Sequence, residues 1–408
     1  MLFTLIKNEL IKLMKKSKTW IVFALFVGVI ALTIFAQYRS DKNMRIWSSP
    51  EKQLEMAESN LAYYNEELEL NKDSATNPEY IAYLEDSIEN VKLEIENYKD
   101  IIENGLDEDA WKLELDKMIE STKESIENYK QYDDEWSKRY LIEEEENLKI
   151  YNYLKENNIE PIYGWEYEAY NYITELMRFL GMALLVCGIA LFMSDIVSGE
   201  CTPATLKFLL VQPITRGKIL LSKFISVTLT VLAMILGGEL IGFAFVSLTS
   251  KLSGIASYPV SLGTQYNKII NSDGISELVR VVGSGHIGTK GELFVKAMLF
   301  QGLFIIAACS VVFLISTLIK SSMITMALSV VVTVFLSIAS QSIDSLKDVA
   351  HFVFVNYGNG IDILTGSSAL EFNNANMTIQ NGIIVMVVTT IVSYAIAHIN
   401  FKRKDILI

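Results

Sequence analysis

The sequence predicts an α-helical polytopic membrane protein with six transmembrane helices and an extracytoplasmic helical coiled-coil domain between the first and second spans. Three observations predict it. Of 408 residues, 51% are hydrophobic and 20% charged, and the apolar residues gather into runs of membrane-crossing length. The charge is segregated: residues 41–170 hold 35 acidic against 14 basic side chains, a net −21, which leaves +8 on the remainder of a chain whose total is −13. Inside that acidic block the apolar residues recur at helical spacing. So sharp a change of composition marks a domain boundary.

Residues 1–18 read as a cytoplasmic amphipathic interface helix. Leu2, Leu5, Ile6, Leu10, Leu13 and Met14 recur at three- and four-residue steps, and the lysines between them face phosphate headgroups. Residues 19–37 form the first span, with Trp20–Ala36 as its apolar run and Trp20 and Tyr38 as interfacial anchors. No small-x-small cleavage site follows Ala36, where the chain reads Gln37-Tyr38-Arg39, so the run reads as a retained span rather than a signal peptide.

Residues 38–170 form the acidic domain. Ile81, Leu84, Ile88, Val91, Ile95, Tyr98 and Ile102 step alternately by three and four, an unbroken heptad seam. A weaker seam precedes it at Leu54, Leu61 and Leu68, and another follows at Leu115, Ile119, Thr122, Ile126, Tyr129 and Trp136. Turn formers in Asn71–Pro78 and Asn104–Asp109 separate the helices. A 25-residue helix would project about 35–40 Å, so a helical hairpin or small bundle standing on the membrane is expected. The run Glu143–Glu146 reads as a solvated helix face, with capture of a cationic peptide as the sharper alternative.

Residues 171–408 hold the other five spans, near Tyr172–Met193, Phe224–Leu248, Phe294–Ile319, Met323–Ile338 and Gly382–Ile399; about 20 apolar residues cross a bilayer core as a helix. Positive charge beside short loops sets their orientation. The N-terminal lysines, the loop with Lys207, Arg216, Lys218 and Lys223, the turn at Lys320 and the tail Phe401-Lys402-Arg403-Lys404 are all basic. Both termini are therefore expected in the cytoplasm. The outside segment Gln341–Gln380 is long enough for a short re-entrant helix.

Enzymatic constellations are missing from the pattern. His286, His351 and His398 are scattered without metal-ligand spacing. Gly283–Lys290 looks like a phosphate-binding loop, but its last pair is Thr-Lys where that motif needs Lys before the hydroxyl residue. Cys187, Cys201 and Cys309 suggest no disulfide framework, and none lies in the acidic block. A cysteine-free outside domain rich in Lys, Glu, Asn and Ile fits the plasma membrane of a Gram-positive bacterium. A lipid membrane is the expected surrounding, and no nucleic-acid partner is expected.

The informative stretch is the long inside loop, residues 194–224. It runs Ser194-Asp195-Ile196-Val197-Ser198-Gly199-Glu200, then Thr205-Leu206-Lys207-Phe208-Leu209-Leu210, then Gln212-Pro213-Ile214-Thr215-Arg216-Gly217-Lys218. It reads as a span continuing into the cytoplasm, a short amphipathic helix, a Pro-marked turn and a basic helix entering the third span. This run resembles the signature cytoplasmic loop of the type-2 ATP-binding-cassette (ABC) export permeases, which also lies between the second and third of six spans. Ala204 departs from the Gly that many relatives carry there, and the outside insertion matches no subfamily.

The resemblance implies a permease subunit of an ATP-driven exporter, non-catalytic itself, with no cofactor on this chain. ATP and Mg would sit on a separate cytosolic ABC ATPase, and the permease would pair with a second one, identical or not. Ser198, Gly199, Glu200, Thr205, Leu206, Lys207, Gln212, Pro213, Arg216 and Lys218 would couple to the ATPase. The substrate stays open, an extracellular peptide or lipid among the options. Within the third span, Glu239 is a candidate for the translocation path, since a carboxylate facing lipid costs about 3 kcal/mol. A hydrogen-bonded interhelix contact beside glycines is the other reading. A membrane-anchored scaffold or sensor, its coiled coil binding a ligand or wall component, is the alternative function; it leaves the 194–224 loop unexplained.

Overall fold

Fifteen α-helices and four short strands are defined among residues 2–71, 78–105, 109–132, 134–200, 214–250, 255–270 and 276–403, which the computed structural model describes. Contacts divide the chain into two units, one of Met1–Ile34, Glu124–Ile150 and Glu168–Ile408, the other of Phe35–Lys123 with Tyr151–Tyr167.

The first unit holds the apolar helices. α1 (Leu2–Lys15) precedes α2 (Ser17–Trp47), whose N-terminal part belongs to this unit. Among the described residues five helices are long and apolar enough to cross a membrane: α2, α9 (Arg216–Thr249), α10 (Lys290–Leu318), α11 (Ser322–Ser342) and α15 (Ile379–Arg403). A sixth span exists if α7 (Ala169–Leu180) and α8 (Met182–Met193) count as one. The chain is a multi-pass helical membrane protein. Its core is α10, whose Ala297, Phe304, Ile305, Ala308, Cys309 and Phe313 are fully buried among neighbouring helices.

Within the stretch expected as the second span, Tyr172–Met193, α7 and α8 meet at a 69° bend. Gly181 causes it. Its φ of 40° and ψ of −155° suit only a residue without Cβ, and a Cβ there would lie 2.8 Å from the Arg178 carbonyl oxygen. The bend leaves α7 strongly amphipathic. Tyr172, Ile173, Leu176 and Leu180 are buried, while Arg178 reaches Glu175 at 3.0 Å and Asp362 at 3.1 Å.

Two segments between spans carry structure of their own. β1 (Pro259–Leu262) pairs antiparallel with β4 (His286–Thr289), and β2 (Tyr266–Ile270) with β3 (Ser276–Arg280). Strands this short give almost no alternation in sequence, and the sequence reading assigned them nothing. The rejected phosphate-loop stretch is β4 and its approach, ending at Lys290, the first residue of α10. Lys290 donates to Asn171 at 2.7 Å and lies 3.8 Å from Glu168, the N-cap of α7. After α11 come three short helices, α12 (Asp344–Lys347), α13 (Gly360–Thr365) and α14 (Ser367–Glu371), where a single short helix was expected.

The reading of Glu143–Glu146 as a solvated face is corrected at Glu146. These residues lie in α6 (Glu135–Glu156), and Glu146 meets Arg280 at 2.7 Å and accepts from Ser261 at 2.5 Å. Lys138 of the same helix pairs with Glu277 at 3.1 Å. The helix is therefore fastened to the strand segment. Tyr266, buried beside Glu146, has its phenol pushed up to about 12.

In the second unit, α3 (Pro50–Asn71) and α4 (Pro78–Asn104) pack as an antiparallel pair. Tyr80 at the start of α4 donates to Glu67 near the end of α3 at 3.1 Å, while Lys99 pairs with Glu58 at 3.6 Å. Each helix opens on a proline, which suits a first-turn position whose N–H has no partner anyway. The heptad seam lies on α4: Leu84, Ile88 and Val91 are buried, but Ile102 is 43% exposed, so the seam fades at its last step. Leu115 and Ile119 of α5 (Ala110–Tyr129) and Leu154 of α6 are also buried, with Lys155–Asp116 and Tyr163–Glu114 contacts at 2.6 Å. The rest of the following seam belongs to the first unit, where Ile126 is buried whereas Trp136 is 68% exposed.

Candidate functional site

Residues 194–200, at the end of α8, are where the predicted coupling loop begins, and three other elements converge on them. Ser198 lies in a 3-10 turn, Ser198–Glu200, and its hydroxyl donates back to the Ser194 carbonyl at 2.5 Å. Ser316, near the end of α10, accepts from the backbone N–H groups of Val197 and Ser198, both at 3.2 Å, and donates to the Ser194 carbonyl at 3.2 Å. Ser198 also reaches the hydroxyl of Ser322, the first residue of α11, at 3.2 Å. A Cβ on Gly199 would lie 2.9 Å from the Cβ of Asp195 and 3.4 Å from the Ser322 hydroxyl, so the turn closes tightly only with glycine there.

The N-terminal helix region supplies the third attachment. Lys18 meets Asp195 at 2.8 Å and Lys16 meets it at 3.4 Å. Burial alone would raise the Asp195 carboxyl, but its hydrogen bond and charge contact with Lys18, reinforced by Lys16, hold it below the usual carboxylate range. These two lysines, expected to face phosphate headgroups, are committed to a carboxylate. α1 is tied to α9 as well. Lys223, 2% exposed, lies 3.0 Å from Glu9, and the Ser226 hydroxyl donates to the Ile6 carbonyl at 3.1 Å.

Of the predicted site residues, Ser198 and Gly199 therefore stand inside a cross-braced turn, and Glu200 closes that turn in the backbone. Thr205, Leu206, Lys207, Gln212 and Pro213 lie outside the described residues. Arg216 and Lys218 open α9, Arg216 half-buried and Lys218 exposed. Between them, a Cβ on Gly217 would come within 2.6 Å of the His398 ring on α15, so the start of α9 runs close against that helix. Glu239 stands apart from this site, fully buried on α9, where it accepts from Gln301 of α10 at 2.8 Å.

Sequence reasoning missed Ser316, Ser322 and the Glu9–Lys223 pair. A serine at the end of an apolar run carries no signal of what it touches. The single acidic residue in an otherwise basic N-terminal segment was the one available clue to the pair.

A bent second span, a braced loop entrance and five further apolar helices define a multi-pass helical membrane protein. A model of the family described as ABC-2 family transporter protein matches residues 3–406. The chain belongs to that family, the type-2 ABC permeases, and membership carries membrane embedding and partnership with an ABC ATPase. No curated protein matches the chain in sequence.

Proposed function

We propose that this chain is the permease subunit of an ATP-driven exporter, paired with a second permease and driven by a separate cytosolic ABC ATPase that docks on residues 198–218. ATP and Mg belong to that partner. On this reading the loop-side ends of the spans and both termini face the cytoplasm, as the basic loops require. The acidic helical unit then stands outside the cell between the first and second spans.

One observation carries the reading: the entrance to the loop is braced at once by the start of α2 with Lys16 just before it, by α10 and by α11. A segment held only by its own chain neighbours would yield when pushed. Ser194–Glu200 is instead hydrogen-bonded to Ser316 and Ser322 and ion-paired to Lys16 and Lys18. Force applied by an ATPase at Glu200, Thr205, Leu206 or Lys207 would reach three elements together. Gln212, Pro213, Arg216 and Lys218 would return it to α9.

A photo-crosslinking amino acid at Lys207 tests this. The expected product in native membranes is a covalent adduct with a chain of the ABC ATPase class. Adducts confined to lipid or to the permease itself would refute docking at this loop.

A further inference from the structure

Glu239 has no exposed surface, and one neutral group meets it: the Nε2 amide of Gln301 donates to its Oε1 at 2.8 Å. Two buried acceptors are left over, Oε2 of Glu239 and Oε1 of Gln301, neither with a hydrogen-bond donor among the described residues. Both orphans belong to one contact, a carboxyl set against a carboxamide.

An ionised Glu239 would need a cation, and among the described residues none is placed to serve. α2 carries no charged residue between Lys18 and Arg39, and α10 none after Lys296. Lys296 is held by Glu292 at 2.6 Å, Lys290 by Asn171 and Glu168, and Arg178 of α7 by Glu175 and Asp362. Lys223 is held by Glu9. The cations of α1 and α15 meet α9 around Ser226 and Gly217, about 20 Å or more along the helix from Glu239. The packing on either side of it is close: a Cβ on Gly238 would lie 2.8 Å from Phe26, and one on Gly242 2.7 Å from the Tyr172 hydroxyl.

A buried charge without a counter-ion neutralises. One proton on Glu239 changes the inventory, because a carboxylic acid has an O–H donor as well as an acceptor. The amide edge of glutamine is its complement, N–H to carbonyl and carbonyl to O–H. A single proton therefore satisfies both orphan oxygens. We infer that Glu239 is protonated in the folded permease and that its proton completes an uncharged, two-bond clasp with Gln301 that fastens α9 to α10. Glu239 is then a fastening between helices rather than a carboxylate awaiting a cation in the path.

Infrared difference spectroscopy of the purified full-length protein against Glu239→Gln tests this directly. The substitution keeps both hydrogen bonds, so the variant is expected to fold and melt like the parent. The spectrum should show loss of one carbonyl band of a protonated carboxylic acid, with no loss of carboxylate bands. In Gln301→Leu the same band should persist and shift to higher frequency as its hydrogen bonds are lost. Loss of carboxylate bands in Glu239→Gln would overturn the proposal. A protonated-acid band that does not move in Gln301→Leu would overturn the clasp.

Discussion

Ser316→Ala probes the brace at the loop entrance through a single oxygen. That hydroxyl accepts two backbone N–H groups, those of Val197 and Ser198, at residues only 2% and 1% exposed. Stranding a buried donor costs about 1–3 kcal/mol. Both bonds are 3.2 Å long and share one acceptor, which places each at the low end and the pair at about 2 kcal/mol. That is roughly a 30-fold change in an equilibrium constant. If the cost falls on the turn alone, amide exchange at Val197 and Ser198 should accelerate by roughly 30-fold, read by hydrogen-exchange mass spectrometry on the purified protein. Ser310→Ala is the control. Its hydroxyl, on the same helix, donates to Ala307 one turn back, and its loss should leave amide exchange at residues 197–198 unchanged. Equal exchange at residues 197–198 in the two variants would refute the brace.

Three further outcomes are expected. Glu9→Gln removes the carboxylate paired with the buried Lys223 and should destabilise the protein by about 3 kcal/mol, whereas adding Lys223→Met should recover most of it; simple additivity in the double-mutant cycle would exclude a coupled pair. Asp195 is held below its ordinary value, so its contribution is present above the unfolded value of about 3.9 and is lost as pH falls through the lower folded value. Unfolding followed from pH 6 downwards should thus show an acid-side loss, below about pH 4, that Asp195→Asn lacks. Gly181→Ala, which forces a Cβ into a positive φ, should cost about 1–2 kcal/mol for the backbone alone; an unchanged melting temperature would mean the bend does not depend on that residue.

The spans were legible because crossing a bilayer demands a long apolar run, and nothing in the soluble part of this sequence imitates one. The end of α3 and both ends of α4 were legible too, since Asn71, Pro78 and Asn104 act on the backbone locally. What could not be read depends on partners distant in sequence. Gly181 is one of 22 glycines, and only its contact with the Arg178 carbonyl distinguishes it. Glu146 sits in a run of four glutamates that looks uniformly solvated until Arg280 arrives from 134 positions away. Ser316 has the same sequence appearance as Ser310, yet one braces the loop and the other satisfies its own helix. Ser198 and Gly199 were marked by resemblance to a family; the structure supplies the close packing against Asp195 and Ser322 that suits a small pair there.

The central claim is that this permease is worked by a separate ATPase through the 198–218 segment. Affinity purification of the tagged chain from its native membrane, with mass spectrometry of what accompanies it, tests that most directly. A stoichiometric ABC ATPase is expected, lost when Glu200 and Arg216 are both replaced by alanine. Recovery of no ATPase, under conditions that keep other membrane complexes intact, would contradict it.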